Sequence, residues 1–194
     1  MAIDPAAAKC GVLADMPGQK PSKANKPEKV SSTILGAAAE HYVMCQLLRR
    51  DMIAALAPTG VPNCDIIVSD KLGSKVAAVQ VKARRAIGAD GGWHMKAKHE
   101  TIFAPLLFYC FVDFGLGLSD APQCWVIPST EVAEAISQSH AVWLSSPGKK
   151  GQARNDTEMR RLMPDYSHQG LGRGKGWLDP YKEAWTLIKG AAAT

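Results

Sequence analysis

Long apolar runs are missing from this sequence. No stretch of its 194 residues reaches the roughly 18 needed to cross a membrane as a helix, which argues against an integral membrane protein. Met1 to Met16 lack a basic-then-apolar order and a cleavage site, so no secretory signal is expected. Cysteine is sparse and poorly spaced. Cys10, Cys45, Cys64, Cys110 and Cys124 are odd in number and form no CxxC pair, so neither a disulfide framework nor a zinc site is expected. The protein reads as cytoplasmic. Gly170 to Gly176 is glycine-rich but lacks the GxxxxGK[ST] spacing and follows no strand-like run, which leaves no nucleotide cofactor. There is no GxSxG elbow, and His94 and His99 have no glutamate between them, which disfavours a hydrolase triad and a metalloprotease.

What is present suffices for one folded domain. Hydrophobic residues make up 46%, enough for a sizeable core, and 23 Lys and Arg against 18 acids give a net charge of +5. That excess permits a nucleic-acid partner without requiring one.

Residues 1–30 read as a flexible basic tail, because Pro17, Pro21 and Pro27 forbid a helix among Lys20, Lys23, Lys26 and Lys29. Thr33 to Arg50, rich in Ala and Leu, predicts a helix capped by Ser31 or Ser32. Cys64 to Val68 and Val76 to Val81 read as two strands joined by a turn at Lys71-Leu72-Gly73-Ser74. Arg84 to Glu100 reads as a polar connection, Pro105 to Phe114 as a central strand, and Gln123 to Ile127 as another strand. Pro128-Ser129-Thr130 opens a second helix, with Glu131 or Glu134 placed for a capping box. A basic, glycine-rich segment follows, and a helix over Pro180 to Ile188, capped by Asp179, closes the chain.

Three features stand out chemically. Glu40 shares a helical stripe with Gly36, Val43, Met44 and Leu47, where a carboxylate is costly unless paired, protonated or metal-bound. Asp65 stands in a strand-like run that disfavours Asp. Gln80 and Lys82 alternate with Val79 and Val81 and so share one strand face. A two-residue turn would place Asp65 opposite Lys82 on the same face, whereas a four-residue turn at 71–74 pairs Asp70 with Lys75 and hence Asp65 with Gln80; directly opposed side chains lie about 5 Å apart. Lys82 is then the diagonal neighbour, and Glu40 joins if its helix packs on that sheet. Oxygen donors of this kind suit a hard divalent cation, and a lysine beside one can orient or deprotonate an attacking water.

Glu40 on a first helix, then Pro62-Asn63-Cys64-Asp65, then Gln80-Val81-Lys82 after a hairpin, resembles the PD-(D/E)xK nuclease superfamily over about residues 33–140. That family includes restriction endonucleases, Holliday-junction resolvases and related homing endonucleases. The resemblance implies an α/β fold with a restriction-endonuclease-like core: a helix, an antiparallel meander, a helix and a further strand, its mixed central sheet flanked by helices. It implies Asp65 as the metal-binding aspartate, Gln80 in the Asp/Glu position, Lys82 as the motif lysine and Glu40 as the supporting acid. The Val81 carbonyl would be a further ligand for Mg2+ or Mn2+. DNA is the implied partner, and a homodimer the implied assembly. The core would span 31–145, with 146–194 packed on it as a basic, Gly-rich segment and C-terminal helix.

Two departures accompany the match: Cys64 occupies the position before Asp65 where proline is usual, and Gln80 replaces an acid. Arg84, Arg85, Lys96 and Lys98, with Trp93, His94 and His99 among them, are the mix expected of a phosphate-contacting loop. Three readings stay open at this level. They are a metal-dependent DNA endonuclease, a catalytically degenerate nucleic-acid-binding or assembly module on the same fold, and an unrelated α/β protein. The last would place Glu40 and Lys82 on opposite sides of the sheet.

Overall fold

The computed structural model describes residues 31–85 and 91–193; the expected basic tail at 1–30 lies outside them. Helix α1 (Ser32–Leu48) leads into β1 (Ile53–Leu56), β2 (Ile66–Ser69) and β3 (Val76–Arg84), an antiparallel meander. The chain continues through β4 (Trp93–Lys96), β5 (Leu107–Asp113), β6 (Gln123–Pro128), α2 (Ser129–Ser145), β7 (Met159–Leu162) and α3 (Thr186–Ala193). The central sheet has the order β1-β2-β3-β5-β6, with β5 parallel to β3 and antiparallel to β6. The molecule is a mixed α/β fold whose mixed five-stranded sheet is flanked by helices.

Side-chain alternation divides the core between the two faces of the sheet. On one face Ala39, Val43 and Leu47 of α1, with Trp185 and Ile188, cover Val79, Val81, Phe108 and Cys110. On the other, Val132, Ala135 and Ile136 of α2, with Trp93, Met95 and Leu162, cover Tyr109, Phe111 and Ile127. Strand β5 is buried from Leu107 to Val112 because both layers rest on it. That double burial explains a run with no polar alternation.

Several expected boundaries move, each for a physical reason. Ser31 occupies the position before α1, yet its side chain makes no capping hydrogen bond. The capping box of α2 does not form. The Ser129 hydroxyl instead bridges the N–H and C=O of Ala104, both at 3.0 Å, and Glu131 and Glu134 turn toward Arg173. The closing helix begins at Thr186 and not at Pro180. Residues Asp179–Tyr181 form a single 3-10 turn. Lys182 then bridges to Trp125 of β6, the Glu183 N–H bonds the Cys124 carbonyl, and Glu183 adopts φ 52°. Sheet pairing and a left-handed residue are incompatible with helix at that point.

The connection after β3 is not merely a polar loop. Its strand β4 pairs antiparallel with β7, a partner about 65 residues away and itself unrecognised in the basic C-terminal segment. A 3-10 turn, Ala97–Glu100, stands in this crossover, and α2 follows β6 as expected. Arg160, buried on the inner side of the ribbon, is held by Glu100 at 2.5 Å.

Candidate active site at the β2–β3 hairpin

The hairpin turn fixes the register on which the site depends. Asp70 Oδ1 accepts the N–H groups of Leu72 at 3.1 Å and Ser74 at 2.9 Å, and its Oδ2 accepts the Ser74 hydroxyl. Gly73 sits at φ +68°, a conformation that side chains resist. The six-residue connection so made, residues 70–75, pairs Ser69 with Val76 and Ile66 with Val79, the last ladder pair before Asp65.

Asp65 lies just before β2, where its backbone N–H still reaches the Val79 carbonyl at 2.9 Å. Its Oδ2 accepts the Val81 backbone N–H at 2.7 Å and the Gln80 amide N–H. Both bonds use one carboxylate oxygen and leave Oδ1 out of them. In an extended strand a residue's N–H and C=O project to the same side, so the Val81 carbonyl shares the edge that Asp65 occupies.

Gln80 is buried and Lys82 half-buried, both on the sheet face that carries Tyr109 and Phe111. Burial pushes the Lys82 ammonium below its ordinary range, and Lys98 and Lys96 add to that, while Asp65 and Glu40 oppose it. Glu40 arrives from α1, which packs on the opposite face among Val79 and Val81. That is the placement expected of a structural acid, yet its carboxyl senses the others. Burial first, then the Asp65 charge, raises its pKa, while His41 and Lys82 pull it down.

Gln80 and Lys82 open into a cleft of about 540 Å³ whose other walls include His94, Lys96, Lys98, His99 and Glu158. Lys98 Nζ also donates to Asn63 Oδ1 at 2.9 Å, which ties this wall to the turn before Asp65. Lys96 and Lys98 are therefore brought to the site; Arg84 and Arg85 are not. Arg84 pairs with Asp113 at 2.7 Å, lies 3.8 Å from the centre of the Trp93 ring and donates to the Gly91 carbonyl. Arg85 donates to the Leu116 carbonyl at 2.6 Å.

Tyr109 carried no local signal, and His99 read only as part of a phosphate-contacting loop. Tyr109 is the parallel-ladder partner of Gln80, and its hydroxyl lies 2.8 Å from Nδ1 of His99, both side chains being buried. Burial, then the charges of Lys82, Lys98 and Lys96, holds the His99 pKa at about 4. Burial, then Asp65, lifts the Tyr109 phenol to about 12.

Among the described residues no three His, Cys, Asp or Glu side chains form a group able to hold a metal ion. The site offers two carboxylates, an amide and a backbone carbonyl. These are hard oxygen donors and match Mg2+ in kind, with fewer charges than an all-acid set. Gln80 turns its amide nitrogen toward Asp65, and a half-rotation of the amide would present its oxygen instead.

No protein-family model matches the chain, and no curated protein matches it. Among solved structures, it is similar to a bacterial homing endonuclease, I-Ssp6803I, at 18% identity and a TM-score of 0.46, over 84% of this chain and 97% of that one. It is also similar to Hjc, a Holliday junction resolvase from Archaeoglobus fulgidus, at 13% identity and a TM-score of 0.38, over 70% of this chain and 88% of that one.

Proposed function

We propose that the chain is a metal-dependent DNA endonuclease that hydrolyses phosphodiester bonds at a centre formed by Asp65, Gln80 and Lys82, with Glu40 in support. The observation that carries this reading is the Asp65 carboxylate, held by the Val81 N–H and opposed by Gln80 beside a cleft walled by three lysines. Asp65, Glu40, the Gln80 amide oxygen and the Val81 carbonyl would hold Mg2+ or Mn2+. Bound there, such an ion supplies a lowered pKa for water and offsets charge on the reacting phosphate.

The chain's own groups do the rest. The Val81 N–H fixes the rotamer of Asp65, so the carboxylate is oriented before substrate arrives. Lys82, with its depressed pKa, orients or deprotonates the attacking water. Lys96 and Lys98 contact backbone phosphates on the facing wall.

The test is cleavage of supercoiled plasmid and branched DNA with Mg2+ or Mn2+, comparing the wild type with Asp65→Ala and Lys82→Ala. Metal-dependent nicking lost in both variants is the expected result. A fully active Lys82→Ala protein would remove the role given to that lysine.

A second reading is favoured by the amide nitrogen that Gln80 turns toward Asp65, which satisfies the carboxylate without a cation. In that case the protein is a non-cutting DNA-binding or assembly module. It would bind DNA in a salt-sensitive, Mg2+-independent way, and cleavage that tracks Asp65 and Lys82 would end that reading.

A further inference from the structure

His99 forms part of the cleft wall beside Gln80 and Lys82 although its side chain is 3% exposed. Its Nδ1 meets the hydroxyl of Tyr109, which is fully buried behind it. Among the described residues Nδ1 is the hydrogen-bond partner of that hydroxyl, and Nε2 of His99 has none. A buried hydroxyl places its proton on the acceptor at hand, so Tyr109 donates and Nδ1 accepts. A neutral imidazole whose Nδ1 lone pair is engaged carries its proton on Nε2. Burial among Lys82, Lys96 and Lys98 keeps the ring neutral, because a further positive charge there would be repelled and poorly solvated.

We propose that His99 presents its Nε2–H to the cleft as an uncharged donor to a non-bridging phosphate oxygen of a bound DNA strand, with Tyr109 as the positioning residue that selects this tautomer. The proposal rests on the nuclease reading only in taking a DNA phosphate as the ligand; it needs no cleavage. The three lysines supply attraction with little direction, since an ammonium on a flexible stem accepts many geometries. An imidazole fixed at one nitrogen by a buried hydroxyl, and set edge-on to the Tyr109 ring, supplies the direction they lack. It does so without raising the repulsion among them.

The deciding experiment is long-range proton–nitrogen NMR of histidine-labelled protein at neutral pH, alone and with a short DNA duplex in EDTA, so that nothing is cut. The free protein should show His99 as the Nε2–H tautomer, and saturating duplex should shift its Nε2 resonances. Tyr109→Phe should mix the two tautomers of His99. His99→Phe, which keeps a ring of similar size, should weaken duplex binding about tenfold. His99→Gln, which retains an N–H at that reach, should recover most of the loss. A Nδ1–H tautomer, or a cationic ring, overturns the assignment. Shifts of the cleft lysines without any at His99 sink this proposal alone, whereas a duplex that perturbs nothing in the cleft sinks the nucleic-acid reading together with it.

Discussion

Gln80 gives its amide N–H to the same Asp65 carboxylate oxygen that accepts the Val81 backbone N–H. Two donors on one oxygen hold the carboxylate still without neutralising it. An acid at position 80 would meet Asp65 as a like charge, with Glu40 near enough to feel both. The glutamine thus lets the unliganded site fold without mutual repulsion, and a cation is left with less charge to hold it.

Gln80→Glu should therefore behave in two ways at once. Without divalent metal it should lose about 1 kcal/mol of stability, because a hydrogen bond becomes a repulsion between opposed carboxylates. With Mg2+ it should recover that loss and bind the ion more tightly than the wild type. Thermal unfolding with and without Mg2+ reads both effects. A variant indifferent to the ion would argue against a metal centre here.

Arg84, at the end of the motif strand, and Lys96 and Lys98 beyond it should separate by role. Arg84→Ala breaks a largely buried pair with Asp113 and a cation–π contact with Trp93, and should cost about 2–3 kcal/mol. Its effect on the salt dependence of DNA binding should be small. Lys96→Ala and Lys98→Ala should leave stability within about 0.5 kcal/mol. Each should lower the slope of log affinity against log salt by about 0.9. Titrations at several salt concentrations, beside denaturant unfolding, separate the two classes.

Glu40 predicts a pH dependence with a definite sign. Its folded pKa lies above the ordinary 4.5, so the folded state binds the proton more tightly than the unfolded chain does. The stability this supplies is present in acid and lost as pH rises through the folded pKa. Glu40→Gln should accordingly raise the melting temperature at neutral pH, and the gain should vanish below the ordinary glutamate range. A constant difference at all pH values would mean that Glu40 feels neither burial nor Asp65.

Thiol labelling checks the layering of the sheet. In a Cys10→Ser background, Cys45 should react readily because it is exposed, and Cys64 more slowly because burial and Asp65 raise its pKa. Cys110 and Cys124 should react only on unfolding; burial and the neighbouring Cys110 thiol hold Cys124 well above 9.0. Mass spectrometry after a timed pulse of reagent reads the order directly.

Local chemistry determined the hairpin. Either even-length turn legible there keeps Asp65, Gln80 and Lys82 on one face, and the structure closes the hairpin with residues 70–75 between Ser69 and Val76. The central strand was equally plain, since ten residues from Pro105 to Phe114 with almost no polar alternation suit a strand covered on both sides. Elements whose partners are remote in the chain were decided by the tertiary structure. Four-residue strands such as β4 and β7 carry too little pattern to be seen until each pairs with the other. The position of the cations depended on the same pairing: it turned Lys96 and Lys98 into the cleft, while Arg84, which reads identically as a basic residue, was claimed by Asp113 on a strand still to come. The Tyr109–His99 pair was invisible for that reason as well, because a parallel crossover joins residues whose contact no local spacing encodes. Sequence periodicity reports which way a side chain leaves its own strand; what it meets there depends on long-range packing.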